Sequence, residues 1–269
     1  MTYSLLQPMK ILFLTITASL LMAMGATAQR IEDPVSHIDW KRVVLANEAE
    51  FTAGELNWGS GFLIRHQNDT IACTARDFTG TTYTRGEMLL IKDFAREMKF
   101  WKMYIPDQPS QFVELDTLVM PERIERKVSI LMFSANYLTF SLKHKNPGII
   151  PLEPDTRKIP NRDTVFIVGY DHDHNLRIVE GIVEMVANEK FADLEIRIRT
   201  EVYLGDPGFA GAPIVDRQGK AIGLTNRSYY LYKNKKGRII SDKKPVEGGY
   251  HEFFVNGTTM RSVLGKREK

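Results

Sequence analysis

The chain has 269 residues, of which 26% are charged and 43% are hydrophobic, enough for one large domain or two of modest size. This composition excludes intrinsic disorder, collagen-like repeats and disulfide-rich miniproteins, and a formal net charge of +3 is too small to indicate a nucleic-acid partner. A single cysteine forms no internal disulfide. We therefore expect the burial of apolar side chains alone to hold the fold together.

The first thirty residues have the layout of an export signal. Lys10 precedes an apolar run over residues 11–24, and small residues follow up to Ala28. The run is short for a helix that spans a bilayer, although a membrane anchor is the alternative interpretation. We expect residues 1–28 to be a signal peptide cleaved after Ala28, which would give a secreted or periplasmic protein without a membrane span.

Short strand-like segments separated by turn signals dominate the rest of the chain. They cover residues 61–65, 70–74, 88–91, 112–120, 128–133, 164–170, 176–186, 194–202, 214–215 with 221–224, and 249–255. Helical periodicity is strongest over residues 93–101, and residues 216–219 have the composition of a tight hairpin. The pattern predicts an all-β barrel or sandwich architecture.

A proline-rich segment divides the strand-like regions into two parts of similar size. Residues 145–163 contain four prolines and few strand-like runs, which predicts a linker. The predicted organisation is then an N-terminal segment with a first β-barrel over 29–144, the linker, and a second β-barrel with a C-terminal tail over 164–269. The basic run 233–238 is interpreted as a solvated hairpin tip.

Four segments, in the correct order, resemble the trypsin-like serine peptidase family. Residues 208–213, Gly-Phe-Ala-Gly-Ala-Pro, resemble its Gly-x-Ser-Gly-(Gly/Ala)-Pro turn, in which glycines let backbone N–H groups converge on an oxyanion hole. Residues 58–64 and 71–78 resemble the strand pair that ends in its histidine, and residues 165–170 with 179–183 resemble the strands that open its second barrel. The resemblance implies two six-stranded antiparallel β-barrels with the active site in the cleft between them.

The resemblance also implies that the catalytic triad is replaced. Ala210 stands where the family has its serine, Asp77 where it has its histidine, and Lys127 where it has its orienting aspartate. A methyl group cannot attack a carbonyl, so the expected protein is a catalytically inactive member, a pseudopeptidase without a cofactor. The backbone N–H groups of Gly208 and Ala210 match the oxyanion hole, and two convergent donors would still bind a carboxylate or a peptide carbonyl. We therefore expect a peptide or protein ligand in the cleft.

One alternative is an active serine endopeptidase whose catalytic residues are others than those aligned above. Ser60, Ser129 and Ser228 are the candidate hydroxyls, although none lies in a Gly-x-Ser-Gly turn, and His66 would be the base. In trypsin-like proenzymes an aspartate before the serine pairs with a newly cut N-terminus. Phe209 occupies that place here, so such an activation is not expected.

A second alternative is an exported metal-binding β protein. Asp171, His172, Asp173 and His174 follow a predicted strand, and these side chains are able to ligate a divalent ion. An extended chain places two of these side chains on the same side, and no third protein ligand can be named beside them, so a polar loop is the preferred interpretation. Cys73 lies in an apolar strand and is expected to be a buried, unreactive thiol.

Overall fold

The structure, a computed structural model, describes residues 35–52, 54–57, 59–76, 94–119, 136–171, 173–186, 195–205, 207–240 and 248–265. Residues 35–37 form a turn in a separate N-terminal unit, and the strands that the structure describes lie in the unit that begins at Ile38. The strands are β1 (Val44–Phe51), β2 (Gly54–Leu56), β3 (Ser60–His66), β4 (Asp69–Ala75), β5 (Met98–Ile105), β6 (Gln108–Leu118), β7 (Tyr137–His144), β8 (Thr164–Tyr170), β9 (Leu176–Val186), β10 (Glu195–Thr200), β11 (Pro213–Val215), β12 (Ala221–Lys233) and β13 (Tyr250–Thr259). The helical elements are the short helices α1 (Phe94–Glu97) and α2 (Met260–Val263) and one-turn 3₁₀ helices at Trp40–Arg42 and Pro207–Phe209.

The first barrel is closed by β1, which pairs with β3 on one edge and with β5 on the other. The order around it is β1-β3-β4-β7-β6-β5, and β2 extends the sheet beside the second half of β1. The buried rings of Trp101 and Phe140 meet in its interior, with centroids 5.0 Å apart. Asn47 is a buried polar residue of this barrel, and it accepts from Trp101 Nε1 at 3.0 Å and donates to Thr74 Oγ1 at 3.2 Å. Both of its polar atoms are satisfied, as burial requires.

The second barrel is closed in the order β10-β13-β12-β11-β8-β9. Ile196 and Ile198 alternate along β10 with Arg197 and Arg199, and only the two isoleucines are buried in the core. This period-two pattern places one face of the strand against the core and the other in water. The predicted all-β architecture of two antiparallel barrels is therefore confirmed, and β8 and β9 have the predicted bounds.

The chain between β7 and β8, residues 145–163, is hydrogen-bonded to both barrels. Leu152 donates to the carbonyl of Leu63 at 2.8 Å, and its own carbonyl accepts from Arg65 N–H at 2.9 Å. On the other side the carbonyl of Glu153 accepts from Ala221 N–H, at 2.9 Å. Because these bonds reach β3 and β12, the segment fixes the two barrels against each other.

The stretch of helical periodicity over residues 93–101 is helical only in its first half. Only α1 is helical, and the chain continues from Met98 as β5, whose buried Trp101, Met103 and Ile105 alternate with less buried residues. A helical spacing also fits Phe94, Met98 and Trp101. The chain from Met98 onwards is a strand because it pairs with β1 and β6. The strands predicted at 88–91 and 128–133 lie outside the described residues.

The two predicted hairpins are confirmed. Gly219, at φ +77°, donates to the carbonyl of Asp216 between β11 and β12, and the carboxylate of Asp216 accepts from the N–H groups of Gln218 and Lys220, each at 2.9 Å. The basic run forms an exposed turn after β12. In the part of the chain that is described, none of the helices has the length and apolar character needed to cross a membrane.

Candidate functional site

The turn formed by residues 208–211 lies where the two barrels meet, and both of its glycines are required. A side chain on Gly208 would overlap the carbonyl oxygen of Tyr170. Gly211 has φ +84°, and a Cβ there would overlap the carbonyl oxygen of Ser60 and lie 2.7 Å from Thr74 Oγ1. The glycine spacing seen in the sequence therefore reflects close backbone approach at two points and a left-handed conformation at one.

The first barrel contacts this turn through Ser60, the first residue of β3. Its N–H donates to the carbonyl of Ala210 at 2.7 Å, and its hydroxyl donates to the carbonyl of Gly208. Its own carbonyl accepts from Thr74 Oγ1 on β4, at 2.7 Å. The beginning of β3 and the end of β4 thus set the position of the turn. Asp77 and Lys127, the other two triad-equivalent positions, lie outside the described residues.

The second barrel contacts the same turn through Thr225 on β12. The carbonyl of Thr225 accepts from Gly211 N–H at 2.8 Å, and its N–H donates to the carbonyl of Ala212 at 2.9 Å. The Thr225 hydroxyl accepts from Ala212 N–H at 3.0 Å and donates to the carbonyl of Phe209. Every one of these groups is buried, so the bonds hold the turn in a single conformation.

Among the described residues, no hydroxyl shown to contact the turn is available as a nucleophile. Ala210 supplies a methyl group, and the hydroxyls of Ser60, Thr74 and Thr225 each donate to a backbone carbonyl oxygen. An attacking hydroxyl must instead donate to a general base, which takes its proton. The contacts of these three side chains are structural.

The oxyanion-hole-equivalent backbone lies in a helical conformation. Gly208 belongs to the 3₁₀ helix Pro207–Phe209, and Ala210 follows it directly. The N–H groups of the first turn of a helix have no acceptor within that helix, and Gly208 is the second residue of this one. Convergence of the Gly208 and Ala210 N–H groups on a ligand stays a prediction.

The other candidate catalytic residues lie away from the turn or are already bonded. His66 ends β3, six residues after Ser60, which places it about 20 Å away at the strand rise of about 3.3 Å per residue. His144 lies at the far end of β7, which pairs with β4 at Tyr137 near the turn. Ser228 donates its hydroxyl to the carbonyl of Leu204 at 2.5 Å. Ser129 lies outside the described residues.

Phe209 points away from the cleft into the second barrel. Its side chain is 4% exposed and belongs to the apolar core, where it packs on Gly169 so closely that a Cβ there would lie 2.6 Å from its ring. At the position that corresponds to the proenzyme aspartate, this chain therefore has a buried apolar side chain, Phe209. The sequence indicated the missing acid but gave no sign of this packing.

Asp171 organises the loop between β8 and β9. Its carboxylate accepts from the N–H groups of Asp173 and Asn175, at 3.0 and 2.9 Å, and from Arg177 Nε at 3.0 Å. Desolvation acts to raise the pKa of Asp171, but the hydrogen bonds from Asn175, Arg177 and Asp173 outweigh it and lower the pKa to about 2. The Asp171 carboxylate therefore holds the loop closed. His174, in the same loop, has a left-handed backbone conformation at φ +60°.

In the described ranges, no three His, Cys, Asp or Glu side chains lie close enough together to hold a metal ion. The structure therefore gives the metal interpretation of this loop no support within those ranges. His172 lies outside those ranges. Cys73 is fully buried on β4, and burial raises the pKa of its thiol, as the interpretation of an unreactive cysteine requires.

Asn226 is a buried polar residue beside the turn that the sequence did not single out. It follows Thr225 at a bulge in β12 and is 2% exposed. Its amide donates to Thr258 Oγ1 at 3.0 Å, whereas its Oδ1 has no hydrogen-bond partner among the described residues. The signal in the sequence that could have pointed to Asn226 is its position as a polar residue in a strand that follows the Gly-x-x-Gly turn 208–211.

Solved structures of serine proteases are similar to this chain in fold. The active form of the Rv3671c protease from M. tuberculosis matches 84% of this chain and 79% of its own, with 14% identity and a TM-score of 0.50. The HtrA-type protease AlgW, solved with a decapeptide, matches 86% of this chain and 64% of its own, with 13% identity and a TM-score of 0.50. No protein-family model and no curated protein sequence matches the chain. The chain has the trypsin-like serine protease fold, which confirms the resemblance at the level of the fold.

Proposed function

We propose that this protein binds a peptide or protein segment in the cleft beside the turn 208–211 and does not hydrolyse it. The observation that carries the proposal is the turn itself, which has a methyl group at Ala210 and is surrounded by hydroxyls that donate to carbonyls. Replacing a complete triad lowers turnover by about a millionfold in a serine peptidase, so binding is the activity left to such a cleft.

The edge of β12 supports the binding part of the proposal. On one edge of β12, β11 pairs only as far as Leu224, and Gly211 then hydrogen-bonds to Thr225. On the other edge of β12, β13 pairs as far as Lys233. Beyond Thr225 the edge that pairs with β11 therefore has no strand partner among the described residues until Tyr232, which bonds Ile240. An extended peptide can add to such an edge through its backbone. AlgW, which has this fold, was solved with a decapeptide.

Labelling with a fluorophosphonate probe tests the absence of a reactive serine. We expect no labelling of the purified protein, and none after Ala210→Ser, because a serine without a base is not activated. Robust labelling of the unchanged protein that is lost with Ser60→Ala or Ser228→Ala would show an active serine peptidase and overturn this part of the proposal.

Binding of fluorescein-labelled β-casein, an unfolded polypeptide, tests the cleft. Anisotropy should report binding by the unchanged protein and at least about tenfold weaker binding after Ala210→Leu, which fills the space beside the turn. The matched control is Thr117→Leu, an exposed position on β6. Equal affinity of the two variants would place the polypeptide elsewhere, and no binding at all would overturn the proposal.

Export is part of the proposal and rests on the sequence. The apolar run over residues 11–24 and the small residues up to Ala28 have the layout of a cleavable leader. Mass spectrometry of the protein recovered from a bacterial periplasm should give an N-terminus at Gln29. Recovery of the uncleaved chain from the cytosol would contradict export without affecting the binding assays.

A further inference from the structure

A cavity of about 780 Å³ opens into the second barrel behind the turn 208–211. It lies between the first half of β9 and the chain that follows β10, where these neighbouring strands separate. β9 pairs with β10 only from Gly181 onwards, opposite Thr200, whereas it pairs with β8 along Leu176 to Ile182. The outer edge of residues 176–180 therefore has no strand partner in the described part of the chain.

The floor of the cavity is apolar and belongs to the barrel core. Val179, Leu204 and Phe209 form it, and the rings and methyl groups of these residues pack against the core. On one wall the side chains of Val202 and Tyr203 are 50% and 48% exposed. The floor bears no carboxylate, so a side chain that reaches it must be apolar.

The mouth of the cavity carries an excess of negative charge. Six charged residues line it, and they are Asp171, Asp173, Arg177, Glu180, Arg199 and Glu201. Arg177 already pairs with Asp171, and Arg199 pairs with Glu184, each at 3.0 Å. The carboxylates of Glu180 and Glu201 have no ion-pair partner among the described residues and are exposed. They are placed to attract a cation from solution.

We propose that this cavity is a second peptide site, which takes an extended segment with an apolar side chain flanked by basic residues. The backbone of the segment pairs with the open edge of β9, its apolar side chain packs on Phe209 and Leu204, and its basic side chains face Glu180 and Glu201. The volume is within the range of natural ligand sites, about 300–1,000 Å³. Because Phe209 directly precedes Ala210, a segment bound here contacts the turn from its core side.

The experiment uses the fluorescein-labelled peptide acetyl-Lys-Val-Leu-Val-Lys-amide and the full chain. We expect anisotropy to detect binding, with affinity falling at least about fivefold in the double variant E180Q/E201Q at low salt. The matched control is Glu55→Gln, an exposed glutamate on β2 of the first barrel, which should leave the affinity unchanged. Both changes are on exposed side chains, so loss of the fold does not interfere.

Two altered peptides separate backbone pairing and charge. Methylation of every second backbone nitrogen removes the strand-pairing donors and should weaken binding at least about tenfold, as should exchange of both lysines for glutamates. Photoleucine at the central position should crosslink to residues 176–182 or 201–209. The proposal would be overturned if the acidic or the methylated peptide bound as tightly as the original, or if E180Q/E201Q had no effect. It would also be overturned if crosslinks formed only at other residues, or if no binding were detected up to about 1 mM. Loss of binding on Ala210→Leu together with crosslinks at β12 would assign the peptide to the cleft instead.

Discussion

The hydroxyl of Ser60, in the first barrel, donates to the carbonyl of Gly208, in the second. The N–H of Ser60 donates to the carbonyl of Ala210 two residues further on, at 2.7 Å. One residue of β3 therefore holds two carbonyls of the turn at the candidate site. The conformation of that turn depends on the way the barrels are joined as well as on its own glycines.

Replacing Ser60 by alanine should destabilise the protein by about 1–3 kcal/mol, because the carbonyl of Gly208 loses its donor in a region where Ser60 is 1% exposed. Urea unfolding measures the change. The control is Ser141→Ala, whose hydrogen bonds with Thr117 are exposed, and it should stay within about 0.5 kcal/mol of the unchanged protein. Equal effects of the two variants would contradict the role given to Ser60.

Gly211→Ala should be far more damaging than Gly237→Ala, although both glycines have positive φ, +84° and +74°. A Cβ at Gly237 has only the Tyr250 hydroxyl nearby, at 3.7 Å, so the strain of the left-handed backbone alone costs about 1 kcal/mol. A Cβ at Gly211 also overlaps Ser60, which should bring the loss above about 3 kcal/mol. Urea unfolding of both variants measures the difference, and similar losses would show that the overlap relaxes freely.

Local pattern was sufficient to predict the bounds of β8 and β9, whereas β12 and β13 continue to Lys233 and Thr259, well beyond the predicted ends at Leu224 and Val255. β8 and β9 are apolar or alternating runs bounded by polar turns, and each begins and ends where the sequence indicates. β5 was not among the predicted strands, because Phe94, Met98 and Trp101 satisfy helical spacing as well. A short apolar run is ambiguous until its partner strand is known, and that partner, β1, lies about fifty residues away.

At the candidate site, the glycines and Ala210 could be predicted because a sharp turn leaves a signal in adjacent residues. The contacts made by Ser60 and Thr225 could not, because Ser60 lies 148 residues from Gly208 and each hydroxyl has many alternative acceptors. The burial of Phe209 is also a tertiary property. Its ring packs against Gly169, which belongs to a different strand.

The carboxylate of Asp171 should stabilise the protein in a pH-dependent way. Its folded pKa, about 2, lies below the ordinary aspartate value because hydrogen bonds from Asn175, Arg177 and Asp173 outweigh desolvation. The stabilisation is therefore complete above the unfolded pKa of about 4 and is lost as the pH falls towards about 2. Asp171→Asn should lower the urea midpoint at neutral pH, and the difference from the unchanged protein should shrink over that acid range.

The control for this titration is Asp116→Asn, an exposed carboxylate on β6 that accepts one hydrogen bond, from Thr117 at 3.2 Å. Its urea midpoint at neutral pH should stay close to that of the unchanged protein, because an exposed side chain is replaced. A difference for Asp171→Asn that persisted undiminished at about pH 2 would mean that the loop depends on the shape of the side chain rather than on its charge.

Cys73 should not react with Ellman's reagent while the protein is folded. It lies in the middle of β4, which pairs with β3 on one side and β7 on the other, and its side chain has no exposed surface. Burial raises the pKa of the thiol, so the reactive thiolate is scarce as well as inaccessible. Its modification should be limited by unfolding of the protein and become fast in guanidinium chloride, whereas an exposed cysteine introduced by Thr117→Cys should react at once. Fast modification of Cys73 in the folded protein would show that β4 opens locally, and the end of that strand is what positions Ser60 against the turn at Ala210.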